Sequence, residues 1–385
     1  MFRRSISTFK IADITLFGSM VCILLGGLFT MSSFEVDDSY FWKQGLWILI
    51  GLSFFMFASR FEYRFLKQTQ IVVILYVFLL SVLTLLFMVG HVSKGAESWF
   101  RIAGVAFQPS DLMKLVLIIV LAKYFSRRHI AIANVRHIIV SAVYAIIPAT
   151  LILIQPDFGS AMVLFSIWLG MVLVSGISKK HLFAVIAIGA VSFTLAWQFA
   201  FKPYQKARIM NFVYPLSDIR GSGYNAYQST IAVGSGGLFG KGVGFGTQSR
   251  LNFLPEYRTD FIFAAFAEEW GFVGSILLLL FFGIIIYKLA VYALVADSTF
   301  EALFTYGVII WMVTHITINV GMNLGIMPIT GIPLPLMSYG GSHLLAECLA
   351  LGMCVGMRRY AREGHQYHIK NEFVGLKKKK KSAYL

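Results

Sequence analysis

Apolar residues in this chain gather in long runs, rather than alternating or recurring once per turn, and the runs repeat from end to end. A helix needs roughly 20 mostly apolar residues to cross about 30 Å of hydrocarbon. Read between charged, glycine and proline punctuation, the runs predict ten such helices. They lie near 12–31, 44–59, 70–89, 111–125, 138–154, 157–175, 182–200, 261–287, 302–324 and 337–357. Only Gln155-Pro156-Asp157 separates the fifth from the sixth; proline ends one helix there and suits the first turn of the next. The expected fold is all-α: a polytopic membrane protein of about ten transmembrane helices, with a long extracytoplasmic loop (201–260) between the seventh and eighth. Residues 1–363 read as one integral membrane domain and 364–385 as a basic cytoplasmic tail. The first run follows Arg3, Arg4 and Lys10 like a signal peptide, but it is too long and no small-residue cleavage site follows, so it reads as the first membrane helix.

Composition excludes a soluble globular chain: 58% of residues are hydrophobic and 13% charged, against about 45–50% and about 25% in soluble domains. A net charge of +15 would suggest nucleic acid in a soluble protein. Here the lysines and arginines flank apolar runs and gather in the tail Lys377–Lys381, which suits anionic lipid and not nucleic acid. Each basic residue near such a surface is worth about 1 kcal/mol. Cys22, Cys348 and Cys354 all sit in apolar runs, with no disulfide framework or zinc spacing.

Charge also sets the orientation. Alternate short connections carry Arg3, Arg4 and Lys10; Arg60, Arg64 and Lys67; Lys123, Arg127, Arg128 and Arg136; Lys179 and Lys180; and Arg358, Arg359 and Arg362. The positive-inside bias places these in the cytoplasm, with both termini. The stretches richest in glycine, proline and ionisable groups (94–114, 155–160, 203–271 and 328–343) then share the outer face of the cytoplasmic (inner) membrane.

Several residues on that face invite a chemical reading beside a structural one. Gly234 to Gly246 resembles a phosphate loop, but Gly242 follows Lys241 where the P-loop needs Ser or Thr, and no strand precedes it. It is either a turn-rich loop or a place where backbone amides approach an anion. Asp260 stands where the long loop becomes the eighth helix; it can cap the helix or face a cavity. Capping does not explain Glu268 and Glu269, which lie inside the apolar run, where ionisable groups are costly and functional or paired. At 100° per residue Glu268 lies nearer the face of Asp260 than Glu269 does. Lys114 can pair with Asp111 three residues earlier, and Asp157 can cap the sixth helix. His343 and Glu347 are four apart, but the local sequence offers no second histidine to complete a metal set, so no protein metal cage is assigned.

Together these motifs resemble the SEDS family (shape, elongation, division and sporulation) of polytopic peptidoglycan glycosyltransferases. The resemblance runs through Lys94-Gly95-Ala96 with Trp99, Phe107-Gln108-Pro109-Ser110-Asp111-Leu112-Met113-Lys114 and Gln155-Pro156-Asp157-Phe158-Gly159. It continues through Ile231 to Gly237, Gly240-Lys241-Gly242, Phe253-Leu254-Pro255-Glu256, Thr259-Asp260-Phe261 and Glu268-Glu269. It ends with Pro328 to Gly331, Pro333-Leu334-Pro335 and Ser338-Tyr339-Gly340-Gly341-Ser342. The loop Lys202-Pro203-Tyr204-Gln205-Lys206, together with Gly246-Thr247-Gln248-Ser249 and Thr330, is more similar to elongation-type than to division-type members. Three positions depart from the family pattern: Ser98 stands where arginine is usual, with Arg101 three residues on; Asp111 replaces glutamate; His343 replaces serine.

The resemblance implies a lipid II polymerase acting in cell-wall elongation and cell-shape maintenance. A growing glycan's anomeric carbon would join the 4-hydroxyl of another disaccharide, expelling lipid pyrophosphate. It implies Asp260 as catalytic base, with Lys114, and secondarily Arg101, Arg208 and Lys241, beside the pyrophosphate. Trp99, Gln108, Ser110, Ser338 and Gly340 would contact substrate or line its cavity, and Asp157 and Glu268 would orient Lys114 or line that cavity. A divalent cation, Mg or Mn, would travel on the pyrophosphate, and a class B penicillin-binding protein would be the partner. A lipid II flippase is the rival reading for the same composition, and a division-type polymerase the rival within the family.

Overall fold

The computed structural model describes residues 11–360 apart from 33–38, 90, 94, 95, 103, 104, 128–134, 216, 217, 219, 220, 222, 252 and 255. The expectations for Lys94, Gly95, Pro255 and the tail Lys377–Lys381 lie outside these residues.

The long apolar runs form α1 (Ile11–Ser32), α2 (Ser39–Ala58), α3 (Thr69–Val89), α4 (Pro109–Ser126), α5 (Val135–Ile154), α6 (Phe158–Val174) and α7 (Lys179–Leu195). Between α3 and α4 the chain forms β1 (His91–Ser93), β2 (Ala96–Ile102) and β3 (Val105–Phe107), an antiparallel meander pairing His91 with Trp99 and Arg101 with Ala106. This small sheet is an addition to the all-α expectation. The stretch between the seventh and eighth long helices is not featureless: it holds α8 (Pro203–Val213), α9 (Tyr224–Ser235) and the single turn α10 (Thr247–Arg250). The chain then continues as α11 (Ile262–Leu294), α12 (Thr299–Asn323) and α13 (341–360).

Seven of the described helices are long and apolar enough to cross a membrane, and α6 is a shorter apolar one. Such a helix satisfies its own backbone, so the hydrocarbon phase imposes no hydrogen-bond cost on it. Its surface can remain apolar, and α7 buries none of its residues against the protein. The core lies instead where α11 meets α1 and α12, and where α12 meets α4 and α6. Close approach needs small residues: a side chain at Gly27 would overlap the main chain of Met337, and one at Gly170 or Gly307 would press on Ile310 or Ile118.

The helices alternate in direction, so the two ends of the bundle differ. At one end, Tyr292 Oη and Arg358 Nη1 both donate to Asp13 Oδ1, at 2.7 and 2.9 Å. There too Lys67 pairs with Glu301 at 3.1 Å, and Lys123 donates to the carbonyl of Lys67. This end carries the basic connections. The other end collects the starts of α2, α4, α6, α11 and α13 and the ends of α1, α3, α5 and α12. The glycine-, proline- and acid-rich motifs all converge there.

Candidate active site

Two short stretches form the floor of the motif-rich end: the turn 256–261, and the segment 328–340 between α12 and α13. They are clasped together by Ser338, whose hydroxyl donates to the Thr259 carbonyl (2.6 Å) while accepting from the Leu334 amide (2.8 Å). The amide of Tyr339 also donates to the Arg258 carbonyl at 2.8 Å. Ser338 is thus buried as a loop fastener. Gly340 lies at the mouth of α13, where its carbonyl starts the helix by accepting from Leu344 at 3.1 Å.

Asp260 lies in the turn before α11, not in the helix. Asn319 Nδ2 and Asn323 Nδ2 both donate to its main-chain oxygen, at 2.9 and 3.1 Å. The same two asparagines hold the Ile332 carbonyl (2.8 Å) and the Ala264 amide (3.1 Å). One turn of α12 therefore fixes the backbone of Asp260, the first turn of α11 and the loop beyond α12. The side chain of Asp260 stays half-buried, with Oδ2 beside Gly331. Such rigidity around a partly open carboxylate is what a proton-transfer site requires.

Next to Gly331, two adjoining clefts run between α8, α9 and the 324–330 segment. The larger, about 180 Å³, and the smaller, about 20 Å³, share Arg208, Pro328 and Ile329. Thr330, one residue from Gly331, lines the smaller one. Arg208 is exposed and stacks over the ring of Tyr204 at 5.8 Å. Neither cleft is lined by Lys114 or by Asp260 itself.

Lys114 sits deeper. Its ammonium pairs with Asp111 Oδ1 at 3.0 Å, and both side chains are buried. Asp111 Oδ2 accepts from Ser342 at 3.0 Å, and Oδ1 faces His343 Nδ1 at 3.5 Å. His343 Nε2 is 2.9 Å from Glu347 Oε1, whose other oxygen accepts from the amide of Leu336 at 2.7 Å. That bond holds Leu336 at φ +61°, a left-handed conformation costly for leucine. Lys114 is thus oriented by Asp111, not by Asp157 or Glu268. Asp157 instead accepts from Gln108 Nε2 (2.9 Å) and from the Ser160 amide (2.9 Å), tying α4 to α6 while capping the latter. Ser110 is buried, without a hydrogen-bond partner for its hydroxyl.

Glu268 and Lys241 form a separate site. The carboxylate of Glu268 is fully buried and accepts from Lys241 Nζ (2.7 Å), the Thr247 amide (2.8 Å), the Gln248 amide (3.1 Å) and Ser249 Oγ (3.3 Å). It organises the glycine-rich loop rather than sharing a face with Asp260. The helical-wheel comparison fails because Asp260 precedes the helix; three residues beyond Glu268, α11 is also broken at Gly271 (φ +66°, ψ −166°). The loop replaces the backbone bonds lost at this break. Lys241 N and Gly242 N donate to the carbonyls of Glu268 and Glu269 (3.0 Å each), while Phe272 N and Val273 N donate to Gly237 and Leu238 (2.9 and 3.0 Å). The glycines let two backbones touch: a Cβ at Gly236, Gly240 or Gly271 would overlap main-chain atoms of the facing segment. Loop amides thus serve α11 itself, and Lys241 is neutralised by a carboxylate. Trp99 and Arg101 lie on β2, with side chains outside the described residues.

One pairing is invisible in the linear sequence. His315 of α12 stacks on His343, ring centroids 5.0 Å apart, and joins Glu347. The only sequence sign of it is a histidine within an apolar run.

A family model described as "Cell cycle protein", FtsW/RodA/SpoVE, matches residues 5–363. The chain is 34% identical to a probable peptidoglycan glycosyltransferase FtsW of Nitrosococcus halophilus, over 89% of this chain and 90% of that one. It is 35% identical to the peptidoglycan glycosyltransferase MrdB of Escherichia coli K12, over 75% and 78%. Its fold is similar to a chain from a peptidoglycan synthase complex that coordinates polymerization and crosslinking (TM-score 0.78, 30% identity, 91% and 98% covered). It is also similar to the rod shape determining protein RodA of Thermus thermophilus (TM-score 0.69, 28% identity, 91% and 98% covered). With the family pattern matched along nearly its whole length and several helices able to cross a bilayer, this chain is a multi-pass membrane protein that belongs to the FtsW/RodA/SpoVE family.

Proposed function

We propose that the chain is a peptidoglycan glycosyltransferase that polymerises lipid II. Its closest chemical support is Asp260, a half-buried carboxylate on a backbone pinned by Asn319 and Asn323, beside a cleft that contains Arg208. In the reaction, the 4-hydroxyl of one disaccharide attacks the anomeric carbon of the glycan donor. Asp260 takes the hydroxyl proton as the new C–O bond forms. The bond from the anomeric carbon to the lipid pyrophosphate breaks, and negative charge develops on the departing oxygen. Arg208 stands at the cleft to meet that charge. It replaces Lys114 and Lys241 in this role, because those cations are spent on Asp111 and Glu268. A divalent cation, Mg or Mn, would arrive on the pyrophosphate.

The basic connections at the opposite end support an orientation with both termini in the cytoplasm and Asp260 on the outer face. The Lys377–Lys381 tail would then meet anionic lipid. A class B penicillin-binding protein is the proposed partner, in line with the synthase complex whose chain this fold resembles. The elongation-type loop at Lys202–Lys206 and Thr330 favour elongation over division. The test is labelled lipid II with purified protein, alone and with the cognate transpeptidase, scored for glycan polymer. In vesicles the same substrate reports translocation. Polymer supports the reading; translocation without polymer would establish the flippase instead.

A further inference from the structure

The bundle holds a second group of titratable side chains that the proposed reaction does not use. His315 and Asn319 are one turn apart on α12, so this group lies about 6 Å deeper along the helix than the backbone of Asp260. His315 is fully buried and His343 and Glu347 nearly so. One donor atom from each of the three lies within 4.8 Å of the others.

Three observations distinguish this group from an ordinary buried polar cluster. His315 Nδ1 is 3.1 Å from the Pro333 carbonyl, and a carbonyl only accepts. Nδ1 therefore carries the proton, and Nε2 presents a lone pair that has no hydrogen-bond partner. Neither ring nitrogen of His343 makes a hydrogen bond of acceptable geometry either, although Nε2 is 2.9 Å from Glu347 Oε1 and Nδ1 is 3.5 Å from Asp111. Finally, the cation facing Glu347 is the His343 imidazole itself. Asp111 is offset by Lys114, while among the described residues no lysine or arginine pairs with Glu347. A buried carboxylate that relies on an imidazole for its counter-charge, next to the orphaned Nε2 of His315, is expensive, since each orphaned polar atom costs about 1–3 kcal/mol.

We propose that His315, His343 and Glu347 bind a divalent transition metal of the zinc class, bridging α12 to α13. Two imidazoles and a carboxylate, with a fourth position for water, form a common zinc donor set. Magnesium and manganese prefer all-oxygen surroundings, so this site would be separate from any cation carried by substrate. The outer contacts suit it. Pro333 fixes the His315 tautomer, Asp111 faces the far nitrogen of His343, and Leu336 holds the second oxygen of Glu347. Zinc–nitrogen bonds of about 2.0–2.1 Å require the donor atoms to close in by roughly 1 Å, a side-chain rotation. The metal would balance Glu347 and lock the strained Leu336 segment beneath the Asp260 turn.

Metal content tests this without reference to glycosyl transfer, so failure here leaves the proposed function standing. The full chain, free of any affinity tag, is stripped with chelator in detergent, loaded with Zn(II) or Co(II), desalted and analysed for metal. The wild-type chain and a His365→Ala/His368→Ala control for the tail should each retain about one metal per chain. His343→Ser and Glu347→Gln should each lose at least about ten-fold in retained metal. Wild-type protein that retains none, with His343 acting as an imidazolium between Asp111 and Glu347, would overturn the proposal. So would either variant that retains as much as wild type. Should a variant fail to fold, the Co(II) spectrum of the wild-type chain decides: intense tetrahedral d–d bands support the site, and the weak spectrum of aqua Co(II) overturns it.

Discussion

Replacing Glu268 by glutamine should release the glycine-rich loop from α11 while leaving the bundle assembled. In the wild-type chain this fully buried carboxylate accepts from one ammonium, two backbone amides and two hydroxyls. Glutamine keeps the volume but supplies one acceptor oxygen and turns the other position into a donor that faces donors. Removing one partner of a fully buried ion pair costs about 3–5 kcal/mol. Lys241 is partly exposed, its side chain at 28%, and can turn to water, which lowers the figure. A cost of roughly 2–4 kcal/mol remains, nearly all of it local. Amides of Lys241, Gly242, Gly244, Thr247 and Gln248 should then exchange with deuterium about 30- to 700-fold faster. The reciprocal change, Lys241→Met, should accelerate the same amides much less, because Glu268 keeps its other donors. Hydrogen exchange read by mass spectrometry on both variants and their double mutant measures the pairing directly. If Glu268→Gln leaves these amides as protected as before, the loop is not held by this carboxylate. Likewise, if Lys241→Met changes only the affinity for substrate, Lys241 belongs to the substrate site after all.

Other consequences follow from the same packing. Gly271→Ala places a Cβ 2.7 Å from Leu238 O and from Phe239 C, in a conformation nearly restricted to glycine; thermal unfolding in detergent should show a loss of about 2–4 kcal/mol. Asn323→Leu orphans the Ala264 amide and removes one anchor of Asp260; turnover should fall more than substrate affinity, with a stability loss of about 2–4 kcal/mol. Arg358→Met strands Asp13 at the other end of the bundle, whereas Tyr292→Phe removes only one bond; the first should lower thermal stability by about 3 kcal/mol and the second by about 1.

The long helices were legible because crossing a bilayer demands uninterrupted apolar length. The runs at 12–31 and 70–89 became α1 (Ile11–Ser32) and α3 (Thr69–Val89), and Gln155-Pro156-Asp157 did separate α5 from α6. The motif-rich end was legible for a related reason: ionisable groups are costly in lipid unless paired, and clusters of glycine and proline interrupt the apolar runs. What escaped prediction depends on contacts between distant segments. The region 201–260 contains α8, α9 and α10, which are short and lack the long apolar run that marks a spanning helix. Glu268 read as a companion of Asp260 only while α11 was taken to start early enough to include Asp260. The turn at 256–261 removes that premise. Lys114 read as a substrate cation, yet its pairing with Asp111 three residues back, equally visible in the sequence, is the interaction that forms. In the sequence His315 is only a histidine in an apolar run, since its partners, His343 and Glu347, lie on the next long helix.

In the proposed reaction, Asp260 removes the proton from the attacking sugar hydroxyl. Single-turnover polymerisation of lipid II by Asp260→Asn, beside a direct measurement of lipid II binding, tests it. With the backbone still held by Asn319 and Asn323, binding should persist within a few-fold while the rate of bond formation falls by about 10²–10⁴. Equal rates for the variant and the wild-type chain, at equal folding and binding, would contradict it.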